Sequence, residues 1–267
     1  MIALAVLLAS TGATPEAYDS VSDVARVLGG VLKEHIDGDT PKALAERAID
    51  AMLKELDPWS RRITPSATEP ESKSFVCLVD RGVLRLTIRR FNGDGRRWIK
   101  ECPALDQNLP VLIDLRDNPG GEVADALGLA SLFVSKVDLL VEERRSGQRT
   151  RHRASPQRVR HASLTVLVNQ QTASAAELIA AALERSAGAH VLGERTMGKT
   201  TVQTAIYLST GDVVLLTTGR LYLPDGRALE GAGLVPKQPV PTTPSAYACR
   251  LAKRMWSPDG CQRSDAP

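Results

Sequence analysis

What is scarce in this chain removes several classes of function. Its four histidines, His35, His152, His161 and His190, stand in unrelated contexts and none sits in a catalytic motif. A Ser/His/Asp hydrolase is therefore not indicated. Its four cysteines, Cys77, Cys102, Cys249 and Cys261, show no CxxC spacing, which argues against zinc. The apolar run Ile2–Ala9 falls far below the ~20 residues of a membrane span, and no other segment comes closer. A net charge of +3 demands no nucleic-acid partner. There is no internal repeat.

What is present suits one large domain, or one core with a small appendage. The chain has 267 residues, 43% of them apolar, enough for a substantial core. Ile2–Ala9 is followed by Ser10, Thr11, Gly12 and Ala13, like the apolar region and small-residue end of a secretory signal, without the basic start. Residues 1–13 are read as that segment, and the protein is expected to be exported, periplasmic or extracellular; a frayed apolar N-terminus is the alternative. With export, one or two disulfides are expected. Three full pairings exist, of which Cys249–Cys261 is the most local and would tie down the polar tail 241–267. Buried free thiols are the other reading.

Helical spacing runs over Val21–Leu32 and Ala43–Leu56, the second behind a Thr40-Pro41 cap. Residues 14–60 thus form a helical segment, and Arg61–Ser74 read as a polar linker. Strand patterns follow at Phe75–Arg89, Val111–Leu115, Val137–Arg144, Leu164–Val168, His190–Gly193, Val202–Leu208, Val213–Thr218 and Leu221–Leu223. Helical patterns at Val123–Val134 and Ala175–Ser186 lie between them, so the core is α/β. Arg144–Arg160 carries seven arginines and no acid. It reads as a solvated hairpin, with binding of an acidic substrate or anionic surface as the minority reading.

The pair that carries chemistry is Ser174 and Lys199, 25 positions apart, in NQQTASAAELIAAALE and GERTMGKTTVQ. A serine hydroxyl needs a base to become nucleophilic. A lysine whose pKa is lowered by burial can be that base. Two strand–loop–helix units, VLIDLRDNPGG and LTVLVNQQTAS with the helices after them, deliver backbone N–H groups at helix N-termini, where an oxyanion is attracted. Gly120 and Gly121 allow close backbone approach, and Ala175 follows the serine. Asp114, Arg116 and Asp117 are assigned to loop structure. Two rival readings exist. Ser174 with Glu177 also matches a capping box. GERTMGKT matches the phosphate-binding pattern GxxxxGK[ST], which needs a helix after it, whereas TTVQTAIYL reads as strand.

Taken in order, LDPWS, DLRDNPGG, TASAAE, GKTTVQ and GRLYLPDGRALEGAGLVPKQPV resemble the C-terminal processing peptidases, or tail-specific proteases, over about Val21–Val240. The resemblance implies a crotonase-like (Clp-protease-like) α/β core over 75–240 with the small N-terminal helical segment before it. It implies a serine endopeptidase in which Ser174 forms an acyl-enzyme, Lys199 is general base and Gln203 orients the lysine amine. Gly120 or Gly121, with Ala175, would line the oxyanion hole. It calls for no cofactor and no metal. The expected partner is an unfolded or flexible polypeptide. Gln171-Thr172 and Thr200 depart from the family pattern. A larger departure is that Arg61–Ser74 leaves no room for the family's PDZ domain, and with it goes the sheet edge that captures a C-terminal carboxylate. An adaptor protein supplying recognition is compatible with that gap. The alternatives are a non-catalytic peptide-binding module that keeps the groove, and an esterase or amidase using the same pair.

Overall fold

The computed structural model describes residues 14–38, 40–65, 74–92, 101–155 and 159–237. The signal-like run 1–13 and the tail with Cys249 and Cys261 lie outside them. In chain order the elements are α1 (Pro15–Glu34), α2 (Pro41–Lys54), β1 (Arg61–Ile63), β2 (Phe75–Asp80), β3 (Val83–Ile88), a 3-10 turn (Pro103–Asp106), β4 (Val111–Asp114), α3 (Val123–Ser131), β5 (Asp138–Arg144), β6 (Arg149–Arg153), β7 (Leu164–Val168), α4 (Ala175–Ala187), β8 (His190–Gly193), β9 (Thr201–Tyr207) and β10 (Val213–Tyr222). Two compact units emerge: Met1–Ser66 with Thr204–Leu216, and Ala67–Gln203 with Thr217–Pro267.

In the first unit, α1 and α2 each begin with a Thr-Pro cap. Thr14 accepts from Ala17 N at 3.4 Å and Thr40 from Ala43 N at 3.2 Å. The cap starts α1 six residues before the apolar spacing at Val21 begins. After α2, Asp57 turns the chain by accepting from Trp59 N at 2.8 Å and from Ser60 N at 2.9 Å. Residues 61–63, read from sequence as the start of a linker, are instead β1, antiparallel to the start of β10 with Arg61 opposite Leu215 and Ile63 opposite Val213. Backbone pairing and charge place this strand, not an apolar pattern. Arg62 donates to both carboxylate oxygens of Asp50, at 2.9 and 2.7 Å, and to Asp212 at 2.7 Å.

The second unit is built on the sheet β2-β3-β4-β7-β8, with β2 antiparallel to β3 and the other neighbours parallel. Every residue of β4 and β7 is buried, which explains why both read as unbroken apolar runs. Helix α4 is buried at each position from Ala175 to Leu183. Five alanines in that stretch let neighbours approach from all sides, and the helix packs on α3, β5, β7 and β8. Gly188, at φ 66°, ends it in a left-handed cap. A disulfide joins Cys77 of β2 to Cys102, just before the 3-10 turn.

The arginine-rich segment is largely the β5–β6 hairpin. Arg149 pairs with Glu143 at 3.1 Å, and Arg151 and Arg153 pair with Asp138 at 3.1 and 3.3 Å, all on an exposed face. The hairpin engages its own arginines, as the solvated reading expects, and such pairs add little stability. The far end of β10 pairs with β5, Gly219 opposite Arg144 and Tyr222 opposite Val141.

Candidate active site

Ligand sites in parallel α/β sheets form beyond the C-terminal ends of the strands. Here three adjacent parallel strands, β4, β7 and β8, lead into three loops: 115–122, 169–174 and 194–200. They carry Gly120 and Gly121, then Ser174, then Lys199. The serine loop lies between the other two because β7 lies between β4 and β8.

Polar bonds join the first two loops. Ala173 N donates to Asn118 O at 2.9 Å, and Thr172, fully buried, donates its hydroxyl to Leu115 O at 2.8 Å. Asp117 and Asn169 exchange a reciprocal pair of bonds at 2.9 and 2.8 Å. Thr172, a departure from the family pattern, is thus a cross-loop tie.

Ser174 takes φ 58° and ψ −127°, unusual for a residue with a side chain, and caps α4. Such a conformation costs roughly 1–3 kcal/mol and persists only when its surroundings enforce it. Glu177 N donates to the Ser174 carbonyl at 3.0 Å, and Ser174 N donates back to Glu177 Oε2 at 2.9 Å. A β-carbon added to Gly120 would lie 2.7 Å from that of Ser174 and 3.2 Å from Ala175 N, so only glycine fits against the serine. The two glycines differ in their amides. Gly120 N donates to Asn118 Oδ1 at 2.8 Å. No acceptor is present for the amides of Gly121 and Ala175 among the described residues. Gly121 is held from behind by Phe91, whose N donates to Gly120 O at 3.0 Å and whose O accepts from Glu122 N at 2.8 Å.

Lys199 Nζ donates to Gln203 Oε1 at 2.8 Å, both residues half-buried. The chain runs extended into β9, so positions 199 and 203 fall on one face by the two-residue period. That strand, where a phosphate loop needs a helix, rules out the nucleotide reading. Gly198 N, which would face a phosphate, is bound to Glu177 at 2.7 Å.

Glu177, which the sequence presented only as half of a capping box, lies at the centre of these loops. It is completely buried, and its Oε2 accepts from both Ser174 N and Lys199 N, each at 2.9 Å. Its Oε1 accepts from Gly198 N and from the Thr196 hydroxyl. One carboxylate therefore fastens the serine backbone to the lysine backbone. Burial pushes its carboxyl above the usual range, against the pull of these four bonds. The spacing Ser-x-x-Glu locates the residue, but its lysine-loop partners arise only from the fold.

Asp114, also completely buried, ends β4 between Arg116 and Arg85, at 2.6 and 2.7 Å. This anchors the base of the glycine loop. None of the four histidines lies on the three loops, and no cluster suited to a metal occurs among the described residues.

The model of peptidase family S41 matches residues 82–240. The chain is 38% identical over 127 residues to the carboxy-terminal processing protease CtpA of Bacillus subtilis, covering 47% of this chain and 27% of that protein. It is 34% identical over 137 residues to the carboxyl-terminal-processing protease of a Picosynechococcus species, covering 51% and 33%. The aligned part thus spans a third or less of those relatives' length. A solved photosystem II D1 C-terminal processing protease aligns with a TM-score of 0.53 at 30% identity, over 59% of this chain and 42% of that one. A lipoprotein of Streptococcus agalactiae aligns with a TM-score of 0.65 over 86% and 88%; at 18% identity this shows the fold alone. The α/β core with its Clp-protease-like arrangement is that of these structures.

Proposed function

The chain belongs to peptidase family S41, and from that premise we propose that it is a serine endopeptidase of the C-terminal processing type, acting on unfolded or flexible polypeptides. Ser174 Oγ attacks the scissile carbonyl carbon while Lys199 Nζ takes its proton. The oxyanion accepts from Gly121 N and Ala175 N, with Gly120 shaping the loop rather than donating, since its amide serves Asn118. The tetrahedral adduct collapses by breaking the C–N bond, and the lysine ammonium returns a proton to the leaving amine. Lys199 then deprotonates a water, which attacks the acyl carbon and frees Ser174. Gln203 Oε1 keeps the amine aimed through its 2.8 Å bond.

The observation that carries this reading is the shared carboxylate oxygen of Glu177. It binds the amides of both Ser174 and Lys199, which supports the two residues working together. Export is part of the proposal, supported by the Cys77–Cys102 disulfide, which persists in oxidising compartments. So is recognition without a PDZ domain, by the groove alone or through an adaptor, since only 14 residues separate Ser60 from Phe75. The test is kinetic. Lys199→Ala should abolish turnover of an unfolded polypeptide and Gln203→Ala should weaken it. In the wild type kcat/KM should rise with pH as Lys199 loses its proton. Turnover unchanged in Lys199→Ala contradicts the mechanism. Tight polypeptide binding without cleavage by the wild type would favour a non-catalytic module.

A further inference from the structure

We infer that Glu230, working through Thr200, is a positioning residue for Lys199; the inference rests on the Ser/Lys reading above. Thr200 stands where the family resemblance leads one to expect glycine, so a hydroxyl has been added directly after the lysine. The structure gives that hydroxyl a specific use. Thr200, almost fully buried, donates its amide to Glu230 Oε2 at 2.6 Å and its hydroxyl to the same oxygen at 3.1 Å. Its carbonyl accepts from Leu221 N at 2.9 Å. On the other side of the lysine, Gly198 O accepts from Gly231 N at 2.8 Å. The amide of Lys199 itself goes to Glu177.

Two carboxylates from unrelated segments therefore hold consecutive amides. Glu177 comes from the helix that carries the serine, and Glu230 from the segment after β10. The rest of that segment is fitted to the lysine loop. Leu234 N donates to Thr196 Oγ1 at 2.7 Å, Thr196 N to Leu234 O at 3.1 Å, and Arg195 to Ala232 O at 3.1 Å. A β-carbon at Gly233 would lie 2.3 Å from Thr196 O. The segment acts as a strap, and Glu230 is its charged clasp on the residue next to the base. Fixing the backbone on both sides of Lys199 leaves its side-chain torsions to settle, and Gln203 Oε1 accepts from the amine at their end. Holding a base within a fraction of an ångström is what preorganised catalysis needs.

The test uses the full chain with Glu230→Ala, Glu230→Gln, Thr200→Val and the pair Glu230→Ala/Thr200→Val. Each is measured for Tm, peptide turnover per active molecule, and the pH dependence of Ser174 labelling by a serine-directed phosphonate. Glu230→Ala should lower kcat about ten- to hundred-fold with KM within about twofold, the scale of one lost charge-assisted bond. Glu230→Gln, which keeps an acceptor for the Thr200 amide, should restore most of that loss. Adding Thr200→Val should not deepen it. Labelling in Glu230→Ala should also shift its pH midpoint. If Glu230→Ala lowers only Tm, with turnover per active molecule and the labelling midpoint unchanged, Glu230 is structural and the inference falls. If the wild type labels at Ser174 but cleaves no peptide, the peptidase reading fails, and the labelling data still decide the clasp. If it neither labels nor cleaves, both fall.

Discussion

Replacing Glu177 by glutamine changes one atom of an isosteric side chain, yet it should strike both halves of the site. Each carboxylate oxygen accepts two hydrogen bonds. An amide offers one oxygen and one NH2, so two donors must face a third. Turning the NH2 towards Ser174 N and Lys199 N breaks the tie between the proposed nucleophile and the proposed base. Turning it the other way confronts Gly198 N and forces the Thr196 hydroxyl, which already accepts from Leu234 N, to give up its donation and accept a second bond. Two charge-assisted bonds at roughly 1.5–3 kcal/mol each are lost either way. Relief from burying a charge, whose cost shows in the raised carboxyl, offsets part of this. The net loss should be about 2–4 kcal/mol in unfolding free energy. If about 2–3 kcal/mol of that falls on the transition state, kcat drops on the order of 100-fold. Urea unfolding followed by tryptophan fluorescence reads the first quantity and polypeptide cleavage the second. A Glu177→Gln protein with wild-type stability and wild-type kcat would refute the bridging role.

Two further outcomes follow from buried and covalent anchors. Burial alone would raise the Asp114 carboxyl, but the bonds and charges of Arg116 and Arg85 more than offset it and hold it below the usual range. A lowered folded value means its stabilisation is present above the unfolded value of about 3.9 and is lost as pH falls through the folded one. Asp114→Asn should therefore flatten the acid limb of the stability curve below about pH 4 and cost about 3 kcal/mol at neutral pH, by leaving guanidinium charge uncompensated; urea midpoints across pH check both. Opening the Cys77–Cys102 bridge, of sequence separation 25, should cost about 3.5 kcal/mol by the loop-entropy relation. Comparing unfolding of the oxidised protein with a Cys77→Ser/Cys102→Ser variant measures it.

The parallel core was legible because strands buried on both faces, such as VLID and LTVLV, leave unbroken apolar runs, and because α4 is alanine-rich and ends at Gly188. Strand β1 was not, since RRI carries no apolar alternation and is placed by ladder bonds and by the acids around Arg62. Val213–Thr218 and Leu221–Leu223 looked like two strands because Gly219-Arg220 interrupts the pattern, yet one strand, β10, runs from Val213 to Tyr222. At the site, the spacing of Ser174, Lys199 and Gln203 was visible as motif and period. That the Gly120 amide is occupied was not, because it turns on Asn118 Oδ1 capturing it. The roles of Glu177 and Glu230 were hidden for the same reason: their partners in the lysine loop lie 19–30 positions away.

The most direct measurement is mass spectrometry of an unfolded polypeptide incubated with protein beginning at Thr14, beside its Ser174→Ala counterpart. New peptide termini are expected with the wild type and none with Ser174→Ala. Equal cleavage by both would contradict the proposed mechanism.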